Sequence, residues 1–265
     1  NNLDKLETLI SDKTKLISVV HLAGWPADMN SIIDLANSKN IFVVEDCSQA
    51  HGANISGHSV GSFGDVSTWS FCQDKIISTI GEGGMVTTNN NDIWKYVWSY
   101  KDHGKNYDLV FKANHPPGYR WLHDKVGTNL RLTEIQSAVG RLQLKELENW
   151  NYIRNRNAQI LIKEISNLSH IRIPLPNSKC RHAWYKFYCY LENNALSADW
   201  DRNRIIEEII SLGYPAYHGG CGEIYLEKTL KNYSTFIYER KTNAKILSET
   251  SLMFLVHPTI DEDMM

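Results

Sequence analysis

The sequence has no apolar run close to the roughly 20 residues of a membrane-spanning helix, and no basic leader with a short apolar core of the kind that marks secretion. It has no excess of either charge. Its 28 Lys and Arg stand against 30 Asp and Glu, a formal net charge of −2, with no long basic or acidic block. Non-specific binding to nucleic acid therefore has little electrostatic support. Cysteine is sparse: Cys47, Cys72, Cys180, Cys189 and Cys221 are odd in number and form no CxxC pair. That argues against a disulfide framework or a zinc site and fits a reducing cytoplasm. His51, His58, His103, His115 and His123 match no ligand spacing, so no metal site is expected. No GxGxxG follows an early strand, which counts against a nicotinamide cofactor. Internal repeats and low-complexity segments are also missing.

What is present is an ordinary globular balance of 42% hydrophobic and 22% charged residues over 265 positions, enough for two packed domains. The first half alternates strands and helices. Leu16 to His21 reads as a buried strand. Asp28 caps a helix with Met29, Ile32, Ile33 and Leu35 on its apolar side. Ile41 to Val44 is a second strand that runs into Glu45 and Asp46. This spacing indicates a βαβ unit and a parallel sheet. Further strands are expected at Val66 to Phe71 and Met85 to Thr88, with a helix from Asp92 to Tyr100. Residues 105–128 read as one long irregular, aromatic segment. Thr133 to Gln136 (TEIQ) forms a capping box and opens a long helix with Ile135, Val139, Leu142, Leu147 and Trp150 at helical spacing. A strand over Trp184 to Leu191 and a helix over Asp201 to Leu212, closed by Gly213, follow. The resulting division is 1–147 and 148–265. Both ends look cut, as expected of a piece of a longer protein.

The residues that suggest chemistry lie at strand ends and loop mouths, where ligands of α/β sheets gather. VVEDCSQAHGA places Asp46 directly after an apolar strand and Gln49 in the next turn. WSFCQDKIISTIGEGG places Ser70 at a strand end and Lys75 in the turn beyond. SYKDHGK carries His103, and GTNLRLTEIQSAVGRLQL carries Asn129 just before a helix. Such a set suits a cofactor with an aldehyde, a pyridine nitrogen and a phosphate. A lysine amine condenses with the aldehyde, a carboxylate on the pyridinium nitrogen makes the ring an electron sink, and hydroxyl and N–H groups at a turn bind phosphate. Each residue alone also has a plain explanation: a solvated lysine, a strand-end cap, a glycine turn. Cys47 and Cys72 flank the group and read as small apolar packing.

These segments, from HLAGWPADMNSIIDLANSKNIFVVEDCSQAHGA through SFCQDKIISTIGEGGMVTTNNNDIWKYVWSYKDHGK and GTNLRLTEIQSAVGRLQLKELE, then HAWYKFYCYL, CGEIYLEK and LMFLVHP, resemble the DegT/DnrJ/EryC1/StrS family of aminotransferases in order and over nearly the whole chain. The resemblance implies an α/β fold of the pyridoxal-5'-phosphate-dependent type I class, aspartate-aminotransferase-like. That fold is a mainly parallel sheet with flanking helices plus a smaller α+β C-terminal domain. It implies that Asp46 meets the pyridine nitrogen, Gln49 the ring hydroxyl and Ser70 the phosphate. Lys75 forms the Schiff base and moves a proton, and Asn129 reaches the phosphate of the partner subunit in a homodimer. It implies transamination of a nucleotide-linked keto sugar to an amino sugar for surface polysaccharides, with glutamate as donor and ping-pong kinetics. His103, Glu223 and Tyr225 are the candidate substrate contacts. Two alternatives stand beside this: a sugar-dehydratase-type relative, in which the Schiff-base lysine is commonly histidine, and a truncated non-catalytic homologue. The sequence departs from the family pattern at Ile80, where its near relatives carry glycine. A branched residue resists positive φ, so the turn after Lys75 is expected to be altered.

Overall fold

The computed structural model describes residues 3–192, 196–220, 222–231 and 239–265; Asn1 and Cys221 lie outside the described residues. The chain forms two units, Asn1–Trp150 with Ser178–Ala183, and Asn151–Asn177 with Trp184–Met265.

In the first unit a short helix α1 (Leu3–Leu9) leads into β1 (Leu16–Val20), α2 (Met29–Lys39) and β2 (Phe42–Asp46). The Asp28 carboxylate accepts the Ser31 N–H and caps α2, and β1 and β2 lie parallel, with Val20 opposite Asp46. This is the expected βαβ unit. A small ribbon, β3 (Asn54–Ile55) and β4 (His58–Ser59), precedes β5 (Val66–Ser70) and β6 (Gly84–Thr87). The main sheet runs β1-β2-β5-β6; β5 is parallel to β2, with Thr68 opposite Asp46, and β6 returns antiparallel.

Side chains alternate across a strand, so the sheet has two distinct faces. Ile17, Val19 and Val43 point to one face and pack with Met29, Ile32 and Ala36 of α2. Each such fully buried side chain contributes about 1.5–3 kcal/mol. The other face carries Leu16, Val20 and Phe42, which remain 49%, 51% and 56% exposed. Asp46, Thr68 and Ser70 stand on this same face, at the strands' carboxyl ends.

Helix α3 (Asn91–Lys101) is capped by the Asn90 side chain. The segment expected to be wholly irregular contains a short helix, α4 (Tyr107–Phe111), capped by Asn106. Trp94 and Trp98 meet Tyr107 edge-on at 5.0 Å between centroids, and this aromatic contact stabilises a turn of helix that no periodicity announced. Helix α5 (Glu134–Ile165) opens on the expected box: Gln136 N donates to Thr133 Oγ1 and Thr133 N donates to Gln136 Oε1. Ile135 and Leu142 of its apolar series are exposed.

The second unit contains the C-terminal half of α5 and an antiparallel sheet. The chain passes through β7 (Ile171–Arg172), then rejoins the first unit at β8 (Cys180–Arg181), which pairs with β3. It continues with β9 (Phe187–Leu191), α6 (Arg202–Ser211), β10 (Ala216–Tyr217), α7 (Lys228–Lys231), α8 (Thr242–Thr250) and β11 (Ser251–Phe254). The sheet order is β10-β11-β9-β7. Phe187, Cys189 and Leu191 alternate inward along β9 and pack with Ala158, Trp184, Leu252 and Val256. Burial pushes the Cys189 thiol up to about 12, so this cysteine behaves as a small apolar side chain.

Candidate active site

The register of the parallel strands brings the site residues together. Asp46 and Thr68 are direct partners, on strands about 4.8 Å apart, and Ser70 ends β5 two residues later. Gln49 and Lys75 follow in the loops leaving β2 and β5. Three parallel strands therefore deliver their exit loops to one edge of the sheet.

Hydrogen bonding decides what each side chain can offer. Asp46 Oδ1 accepts from Ser48 N at 3.0 Å, and among the described residues nothing meets Oδ2. Gln49 Oε1 accepts from Ala23 N at 2.7 Å. Since a backbone N–H demands an oxygen, the amide orientation is set and Nε2 is left as a donor. Ser70 Oγ accepts from Cys72 N at 3.3 Å, which leaves the hydroxyl proton to donate. The Lys75 side chain is 16% exposed, with Nζ 3.7 Å from the Asp74 carboxylate. An acceptor for a ring N–H, a donor for a ring oxygen, a hydroxyl for a phosphate and an amine thus follow adjacent strands at the same edge of the sheet, and this donor set fits pyridoxal phosphate. Cys47 is fully buried; burial, with Glu45 and Asp46 nearby, raises its thiol pKa.

The turn that carries Lys75 is closed by Lys75 N to Cys72 O at 3.0 Å and Thr79 N to Phe71 O at 3.1 Å. Ile80 does adopt positive φ, 59°, and its side chain is 62% exposed. The branched residue is strained there, because in the left-handed region its Cβ lies too close to the following carbonyl oxygen.

His103 and Asn129 are brought together. Asp102 and Asn129 form a β-bridge, and His103 N donates to Thr128 O at 3.0 Å. Behind them Gly104, at φ 80°, packs against Lys125 and Gly127 so closely that neither glycine has space for a Cβ. Arg131 was not anticipated. Its Nε donates to Asn129 Oδ1 at 3.0 Å, its Nη2 lies 3.5 Å from His103 Nε2, and its Nη1 is 3.5 Å from Asp102. Burial raises the Asp102 carboxyl, but the Lys105 hydrogen bond and the charges of Lys105 and Arg131 outweigh it, so the pKa is lowered.

A second unanticipated feature lies under the strand ends. Glu45 is fully buried. Its Oε1 accepts from Phe63 N and Gly64 N at 2.8 and 2.7 Å, and its Oε2 from Gly61 N at 2.7 Å. Oε2 also lies 3.1 Å from His21 Nε2, while His21 Nδ1 accepts from Ala27 N at 3.0 Å. The Ala27 contact assigns the imidazole proton to Nε2, which donates to Glu45. Desolvation raises the Glu45 pKa, but the His21 bond and the three backbone N–H groups overcome it and hold the carboxyl below its ordinary value. His21, Glu45 and Cys47 could in principle ligate a cation, yet the histidine and carboxylate atoms already serve these bonds. The pair is a buried clamp that pins loop 61–64 beneath Asp46.

Glu223 and Tyr225 lie in the second unit. Both Glu223 oxygens are engaged, by Arg240 Nε and Nη2 at 3.0 and 2.9 Å and by the Tyr225 hydroxyl at 2.7 Å. The Arg240 bonds, then the Tyr225 bond, lower the Glu223 carboxyl to about 2. The carboxylate is an internal anchor, and the Tyr225 hydroxyl in turn accepts from Lys241 N at 2.9 Å.

Comparison with known proteins identifies the family and the fold. The DegT/DnrJ/EryC1/StrS aminotransferase family matches residues 2–217. GDP-perosamine synthase of Escherichia coli O157:H7 is 34% identical over 231 residues, covering 87% of this chain and 60% of that protein. The dTDP-3-amino-3,6-dideoxy-alpha-D-galactopyranose transaminase of Aneurinibacillus thermoaerophilus is 35% identical over 190 residues, 70% of this chain and 48% of the relative. The chain thus spans no more than 60% of the length of these two curated relatives. The crystal structure of an aminotransferase from Psychrobacter cryohalolentis superposes with a TM-score of 0.94 at 48% identity, covering 98% of this chain and 68% of that one. With its mainly parallel sheet and flanking helices, the chain has the type I fold of pyridoxal-phosphate-dependent aminotransferases.

Proposed function

The chain belongs to the DegT/DnrJ/EryC1/StrS aminotransferase family, and we propose that it takes part in transamination of a nucleotide-linked keto sugar, with an amino acid, glutamate, as donor. The observation that carries this is that Gln49, whose oxygen is taken by Ala23 N, keeps its amide N–H groups to donate in the loop that follows Asp46, on the strand next to the one whose exit loop carries Lys75. When bound, pyridoxal phosphate supplies an electron sink for the carbanion left by proton removal. Asp46 holds a proton on the ring nitrogen, Gln49 donates to the ring oxygen, and Ser70 binds phosphate. Lys75 would hold the cofactor through its amine and, with that amine free, would act as the general base that takes the substrate Cα proton onto Nζ. We assign substrate contact to His103 in the first unit and to Glu223 and Tyr225 in the second; Glu223 Oε1 takes two of the three hydrogen bonds and Oε2 one, so Oε2 keeps an acceptor position.

Residues 1–147 are assigned to the cofactor-binding domain and 148–265 to the small domain. In a homodimer Asn129, held by Arg131, reaches the partner's phosphate; its exposure on the surface of the first unit supports that role. The names of the relatives support a nucleotide sugar as substrate, and a cytoplasmic location fits a chain whose described residues include no helix long and apolar enough to cross a membrane.

The test is direct. The protein is incubated with pyridoxal phosphate, its visible absorbance recorded, and the adduct reduced with borohydride and mapped. A visible band with label on Lys75 is the expected result, and Lys75→Ala abolishes both. Wild-type protein that folds yet gives neither band nor label sinks the proposal.

A further inference from the structure

We propose that Gln136 and Gln143 are positioning residues for Lys75: two amides on one face of α5 hold the turn from which the lysine projects. This rests on the assignment of Lys75 as the anchoring amine. Positions 136, 140 and 143 are four and three apart and share a helix face. Gln143 Oε1 accepts from Ser78 N at 2.7 Å, and Gln136 Nε2 donates to Glu82 O at 2.9 Å. Between them is Gly140, where a Cβ would come within 3.0 Å of Thr79 Cγ2, so the helix approaches the turn about as closely as its smallest residue allows. The Gln136 orientation is not free to invert, because its Oε1 already accepts from Thr133 N and Thr133 Oγ1 at 3.1 and 3.0 Å. The carbonyl it grips also receives the Thr79 hydroxyl at 3.2 Å. The downstream limb of the Lys75 turn is therefore tied at two points to a helix that lies far away in sequence.

The same chemical change separates the two roles. Gln143→Glu retains an oxygen for Ser78 N and keeps the tie. Gln136→Glu retains the oxygen that caps α5 but sets a carboxylate against the Glu82 carbonyl and breaks the tie. Gln143→Leu removes the other tie outright. Lys75 reactivity is read on the cofactor-free chain by mass-mapped reductive methylation, and the pH midpoint of the visible band is read after adding pyridoxal phosphate. Gln136→Glu and Gln143→Leu are expected to change the Lys75 labelling rate by about tenfold and to shift the band's midpoint, while Gln143→Glu stays close to wild type. The proposal is overturned if the two disruptive variants lower only the thermal midpoint, with labelling rate and band midpoint unchanged, or if Gln143→Glu behaves like Gln143→Leu. A wild-type protein without a visible band sinks the cofactor assignment instead, and the labelling contrast still decides the role of the glutamines.

Discussion

Ile80 shows how much a single backbone angle can hold in reserve. A branched residue at φ 59° carries about 1–2 kcal/mol of strain that glycine does not. Ile80→Gly is expected to raise unfolding stability by about 1 kcal/mol, measured in urea; an unchanged or lower midpoint would show that the angle is relieved elsewhere. Glu45 works in the other sense. Its folded pKa lies below the unfolded value of about 4.3, so its stabilisation is complete above that pH and disappears as pH falls through the folded pKa. Glu45→Gln, which faces an amide toward N–H donors, is expected to cost about 1–3 kcal/mol near neutrality and to flatten the acid limb of the stability profile. A variant with the wild-type acid limb would refute this. Asp46, Gln49, Ser70 and Lys75 could be singled out as candidates because each ends or closely follows a strand, and the family resemblance, not spacing, supplied their roles. The His21–Glu45 clamp was not, because its partners are 24 residues apart and each alone reads as an ordinary strand-end residue. Arg131 went unnoticed for a similar reason: only the fold turns its guanidinium toward His103 and Asn129.

At the scale of elements, what could be read locally was read well. Asp28 and Thr133 announce helix starts through caps, and each cap forms; the cap at Asp201 emerged only in the structure. Strands with alternating or β-branched runs fell within a residue or two of their places, except that the Trp184 to Leu191 run pairs only from Phe187. Helix α4 escaped because aromatic packing against α3, not periodicity, stabilises it. The loop that presents His103 depends on the interlocked backbones at Gly104 and Gly127. Gly104→Ala, with a Cβ directed into the Lys125 carbonyl at positive φ, is expected to cost more than about 1 kcal/mol and to open the Asp102–Asn129 bridge. Amide exchange of His103 and Leu130 provides the measurement, and protection equal to wild type would contradict the interlock.

At the scale of the molecule, a parallel sheet is ordinarily covered on both faces, whereas here the face bearing Leu16, Val20 and Phe42 is half exposed. An apolar patch of that kind draws apolar dyes and promotes association. The chain is expected to bind anilinonaphthalene sulfonate while folded, and Phe42→Ser to weaken the fluorescence by roughly a third, as one of three contributing side chains is replaced; equal fluorescence would place the dye elsewhere. The tie between α5 and the lysine turn has a consequence in time. Ser78 and its acceptor on Gln143 are 65 residues apart, and at about 5–20 residues per second a ribosome needs roughly 3–13 seconds to make the intervening chain. For that interval the reactive amine exists without an address, and it acquires one only when a helix from later in the message arrives to fix it.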